Sequence, residues 1–142
     1  MIKPVKQYIN EFIEAGSDII TFHPEADDNP EEIIKMISDA EIKAGIAVHP
    51  KVNISDIDYL FNQVQQIIVM TVTPGFGGQK FMHDQVQKIK DLDEIRKNNN
   101  YNYEIAVDGG VNNENAKICK ENGANVLAAV SYTHLTLPTT LT

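Results

Sequence analysis

Two glycine-bearing segments, each directly after an apolar run, hold the residues of this sequence best suited to chemistry. The first is Thr73-Pro74-Gly75-Phe76-Gly77-Gly78-Gln79, with three glycines in four residues. Glycine has no Cβ, so successive backbone N–H groups can crowd around one anion. A helix starting just after the loop adds partial positive charge, and phosphate suits that arrangement. The second is Asp108-Gly109-Gly110, where a carboxylate stands beside a two-glycine turn. Glycines alone also make ordinary loops, and Asp-Gly is a common turn dipeptide. Two such segments after neighbouring strand-like runs point instead to an anion cradle with an acid/base group beside it.

The other reactive residue types read more plainly. His23 and His49 each close a short apolar run. A strand-end histidine is more often hydrogen-bonded than metal-bound, and both are read that way. Cys119 is the only cysteine and lies in the helical pattern Lys117-Ile118-Cys119-Lys120, as a half-buried helix residue. One cysteine makes neither a disulfide framework nor a thiolate cluster. A reduced, cytoplasmic setting fits. Twenty acidic against twelve basic residues give a formal charge of −8. That balance argues against nucleic acid or an anionic membrane as partner, while a phosphate can still be held by backbone N–H groups. No apolar run approaches the roughly 18 residues of a membrane span. The first twenty residues carry acids and helical periodicity rather than a signal-peptide pattern.

These groups need elements to place them, and the hydrophobic pattern supplies an alternation. Val5–Ala15 reads as a helix stopped by Gly16, and Asp18–Phe22 as a buried strand. Asn29-Pro30-Glu31-Glu32 opens a second helix, to about Ala40 or Ile42. Gly45–Val48 is a strand, and Ser55 opens a third helix through Ile57, Leu60, Phe61 and Val64. Gln66–Val72 is the strongest strand, followed by a fourth helix over His83–Lys97 that the run Asn98–Asn100 ends. Tyr103–Val107 is a strand ending at Asp108, Glu114–Glu121 a helix, and Ala124–Ala129 the last strand. Five strands alternating with five helices imply a parallel sheet. Periodicity leaves an open doubly wound sheet and a β/α barrel both available, although no G-x-G-x-x-G follows the first strand. The last twelve residues hold five threonines, no charge and no helical period, and 131–142 reads as a separate tail.

Val69 to Phe81 (VMTVTPGFGGQKF) and Glu104 to Asn112 (EIAVDGGVN) resemble the two signature stretches of the ribulose-phosphate 3-epimerase family. Glu14 to Ala26 and Gly123 to Leu127 match it in order and spacing, so the resemblance covers about residues 4 to 130. It implies a partial TIM (β/α)8 barrel over 1–130, with about five βα units supplying the family's fourth to eighth strands. It also implies interconversion of D-ribulose 5-phosphate and D-xylulose 5-phosphate in the pentose phosphate pathway. Asp108 would match a catalytic aspartate that is also a metal ligand. Gly75, Phe76, Gly77, Gly78, Gly109 and Gly110 would hold the substrate phosphate, Ser131 would fall where a Gly-Ser pair completes that site, and Met70 would lie near the enediolate. The cofactor would be a divalent metal ion (Zn, Mn, Fe, Co or Mg), acting as a Lewis acid on the carbonyl and enediol oxygens. The partner would be a sugar phosphate, in a homo-oligomeric parent enzyme.

The departures set a further expectation. The family's first three strands carry a serine, two metal-binding histidines and a partner aspartate, and none of them matches here. Val130 stands where the Gly of the Gly-Ser pair is expected, and His49 where asparagine is more usual. The chain is therefore expected to be a truncated, inactive and marginally stable piece of such an enzyme. D-allulose 6-phosphate as substrate, or a phosphate-binding half-barrel without catalysis, are the alternatives.

Overall fold

The computed structural model describes residues 5–72 and 80–129. Five strands form one sheet in the order β1-β2-β3-β4-β5, every neighbouring pair parallel. They are β1 (Ile19–Phe22), β2 (Lys43–Val48), β3 (Gln66–Met70), β4 (Glu104–Val111) and β5 (Val126–Ala129). The α-helices are α1 (Val5–Glu14), α2 (Pro30–Asp39), α3 (Val86–Asn99) and α4 (Asn113–Glu121). Strand order equals chain order, with no reversal. A doubly wound sheet must reverse to cover both faces, whereas one sense of right-handed crossover lays the helices on a single face. The architecture is that of a partial barrel.

The strand faces show the consequence. Ile67, Val69, Ile105 and Val107 alternate onto one face and are essentially unexposed, joining Ile46, Val48, Ile33, Ile37, Ile89 and Leu92 in the core beneath the helices. Ile68 and Met70 alternate onto the other face and are only half-buried. Parallel register pairs Ile68 with Ala106 and Met70 with Asp108, so these side chains share that second face. In a β/α barrel this is the lumen side.

Most element ends follow their local chemistry. Asn29 caps α2 by accepting the Glu32 N–H at 3.2 Å, with Pro30 in the first turn. Asn100 ends α3 in the left-handed region, φ 58°, its N–H donating to the Arg96 carbonyl. Glu41 does the same after α2 at φ 61°, and the Ile42 N–H returns to the Ile37 carbonyl at 3.2 Å.

The expected third helix is corrected. Residues Ile54–Asp56 and Asp58–Gln63 form two 3₁₀ segments instead. A 3₁₀ turn aligns positions i and i+3, which suits Ile57 and Leu60, both buried. The strand holding Asp108 differs as well. It runs on through Gly109 and Gly110 to Val111, with a register shift between Asp108 and Val111.

Candidate active site

Asp108 lies near the C-terminal end of β4, the end at which parallel α/β folds place their ligands. Its side chain is exposed to solvent. Even so, the protein around the carboxyl removes enough water to raise its pKa above the ordinary aspartate range. The accessible surface and the raised pKa pull in different directions. Both hold for a group open on one side and walled on the others.

The two glycines beyond it are fixed by close approaches. Gly109 has φ +125°, and a Cβ there would stand 2.6 Å from Val72 Cγ2 and 2.9 Å from the Val72 nitrogen. Gly110 has φ +67°, and its Cβ would stand 2.8 Å from the Phe81 nitrogen. Val72 and Phe81 flank the segment 73–79. The two-glycine turn therefore packs against both roots of the glycine-rich segment, and the Met82 N–H closes the base by donating to the Thr71 carbonyl at 2.7 Å. Gly75, Phe76, Gly77 and Gly78 lie outside the described residues, as does Ser131.

Residues to which the sequence assigned no individual role hold this turn. Thr71 is fully buried. Its N–H donates to the Asp108 carbonyl at 2.9 Å, and its hydroxyl reaches the carbonyls of Asp108, at 3.2 Å, and Gly109. From the other side, the Asn115 side-chain amide donates to the Gly110 carbonyl at 3.0 Å. Asn112 and Asn115 form a reciprocal capping box at the start of α4. The Asn112 N–H donates to Asn115 Oδ1 at 2.7 Å, and the Asn115 N–H to Asn112 Oδ1 at 2.9 Å. The spacing Asn-x-x-Asn ahead of a helix was the available signal. Thr71 gave none, since a threonine in a strand is unremarked.

The histidines sit at the ends of other strands. His23 Nδ1 lies 3.5 Å from a Glu25 carboxylate oxygen. Burial lowers its pKa, against the raising effect of Glu25. His49 Nδ1 accepts the Lys51 N–H at 3.0 Å. Lys88 on α3 pins the same loop by donating to the His49 and Pro50 carbonyls, at 3.3 and 3.0 Å. Neither imidazole joins a ligand cluster: no group of three or more His, Cys, Asp or Glu able to hold a metal occurs among the described residues. A divalent cation needs several such donors, and Asp108 brings one carboxylate. The described residues do not make up the implied metal site. Among the same residues, no helix is long and apolar enough to cross a membrane.

The model of the Ribulose-phosphate 3 epimerase family matches residues 1–134. A ribulose-phosphate 3-epimerase of Bacillus subtilis is 39% identical over 132 residues, covering 92% of this chain and 61% of the relative. One from Buchnera aphidicola is 38% identical over 126 residues, covering 89% of this chain and 55% of the relative. One from Escherichia coli K12 is 34% identical over 131 residues, covering 92% and 58%. The chain thus spans between 55% and 61% of the length of these relatives. A solved chain of the tryptophan synthase complex from Pyrococcus furiosus superimposes with a TM-score of 0.61 at 14% identity, over 89% of this chain and 52% of its own. That likeness concerns the fold alone.

Proposed function

The chain belongs to the ribulose-phosphate 3-epimerase family, and from that premise we propose that it acts on a ketose phosphate. Asp108 moves the proton at C3, beside the substrate carbonyl. The named relatives are ribulose-phosphate 3-epimerases, so D-ribulose 5-phosphate is the first substrate to test. One observation carries the reading: Gly109 and Gly110 pack against both roots of segment 73–79, immediately beyond the Asp108 carboxylate. A phosphate held by N–H groups of these two segments would anchor the end of the sugar that does not react. That fixes the orientation of the end that does.

Epimerisation takes a proton from one face of a carbon and returns one to the other. Asp108 is assigned one face. Its carboxylate accepts the C3 proton as an enediolate forms, and the carboxylic acid gives it back. A raised pKa strengthens the carboxylate as a base. Met70, in register with Asp108 on the same face, offers a soft apolar wall beside the planar intermediate. The second face needs a second group that the described residues do not supply, so complete epimerisation by this chain is expected to be absent, and deuterium uptake isolates the half-reaction that Asp108 can carry. D-Ribulose 5-phosphate incubated with the chain in D2O is expected to gain deuterium at C3, and Asp108→Asn to abolish the gain. Equal uptake with and without the substitution would overturn the assignment.

A further inference from the structure

We propose that Thr71 is a positioning residue, whose N–H and buried hydroxyl clamp the Asp108 and Gly109 carbonyls and thereby aim the Asp108 carboxylate. The proposal rests on the functional reading of Asp108 given above.

The clamp answers a local backbone problem. Between Asp108 and Val111 the pairing of β4 with β5 skips, from Asp108↔Ala128 to Val111↔Ala129. A strand irregularity of this kind interrupts the regular ladder and re-aims nearby side chains. Buried carbonyls left there need donors from elsewhere. Thr71, just past the end of β3 and fully buried, gives its N–H to the Asp108 carbonyl and its hydroxyl to the carbonyls of Asp108 and Gly109. A β-branched side chain has few χ1 choices, so the hydroxyl is held in place instead of searching for partners. The backbone immediately C-terminal to the Asp108 Cα is then tied to the end of β3, which narrows the directions in which the carboxylate can point.

Three chains test this: wild type, Thr71→Ser, which keeps the donor, and Thr71→Val, which keeps the volume and β-branching but removes it. Amide hydrogen exchange is read at residues 71 and 109–110, with Ile67 and Ile105 as references lower in the same strands. Thr71→Val is expected to speed exchange at the first group about tenfold or more, the loss of one hydrogen bond's worth of local protection. The reference amides stay within about twofold in the same variant, and Thr71→Ser resembles wild type throughout. In the deuterium-uptake assay Thr71→Val lowers the rate at saturating sugar by roughly tenfold while leaving half-saturation within about twofold, as misorientation without lost binding requires. Unchanged exchange at 109–110 would overturn the proposal. So would equal acceleration at Ile67 and Ile105, which would make Thr71 a core residue and nothing more. Uptake that is absent, or indifferent to Asp108→Asn, with the local exchange pattern as expected, would retire the functional reading and leave the backbone clamp standing.

Discussion

Asp93 and Asp108 stand at opposite ends of the same sheet, and their protons are held in opposite ways. Asp93, on α3 near the N-terminal ends of β4 and β5, is mostly buried and accepts from Arg96 at 2.7 Å. That hydrogen bond, with help from Lys97, pulls its pKa below the ordinary range. Arg96 also donates to the Tyr103 carbonyl and Asn125 Oδ1, at 3.0 and 2.7 Å, and to the Gly123 carbonyl at 3.3 Å. Asn125 Oδ1 further accepts the Ile105 N–H, and Gln65 Oε1 the Ala44 N–H. At Asp108, at the other end, loss of solvent around the carboxyl raises the pKa. One end spends its charged groups on tying strands together. The other keeps a carboxylate against its own solvation, which is expected of a group kept for proton transfer.

The largest effect that would test this contrast comes from the stitched end. Arg96→Ala leaves Asp93 with Lys97 alone and takes the guanidinium donors from the Tyr103, Gly123 and Asn125 oxygens, at a cost of about 3 kcal/mol in urea unfolding. A cost near that of a surface substitution would mean that the N-terminal end is not where stability is concentrated. Next is Gly109→Ala at the candidate site. A Cβ at φ +125° against the Val72 backbone strains the turn by about 2 kcal/mol. Phosphate binding, followed by 31P line broadening, should be lost with it.

Tyr103→Phe sharpens the picture further. The phenol is buried, pushed up to about 12 in pKa, and donates to the Leu92 carbonyl at 2.6 Å. Losing that bond should cost about 1 kcal/mol, with no change at the candidate site.

The sequence carried the alternation of elements because each rests on local signals: the cap at Asn29, the stop at Asn100, the apolar alternation through Ile67 and Val69. It carried the Gly109-Gly110 turn for the same reason, since positive φ at both leaves glycine as the fitting residue. What it did not carry depends on residues distant in sequence. The contact of Thr71 with Gly109 spans 38 positions, and the fan of Arg96 reaches 29 positions to Asn125. Neither residue type announces such a role. The third helix was misread because apolar residues at 57, 60, 61 and 64 suit a 3₁₀ run as well as an α-helix. The 3₁₀ run aligns i with i+3 and buries Ile57 and Leu60 together.

The smallest effects are the pH dependences, and they carry opposite signs. Asp93 has a lowered folded pKa, so its stabilisation is present above the ordinary aspartate pKa and is lost as pH falls through the lowered value. Asp108 has a raised folded pKa, so its contribution is present below the ordinary value and is lost as pH rises through the raised one. Urea unfolding between about pH 3 and about pH 7 should therefore show Asp93→Asn flattening the acid-side loss. Asp108→Asn should give a small gain in stability at neutral pH. Equal signs for the two variants would dissolve the contrast between the two ends.

The most direct test of the central claim is deuterium uptake at C3 of D-ribulose 5-phosphate by the chain and by its Asp108→Asn variant, read by NMR in D2O. Uptake that depends on Asp108 is the predicted result. Uptake that survives the substitution, or none in either protein while the phosphate still binds, would contradict Asp108 as the group that moves the proton.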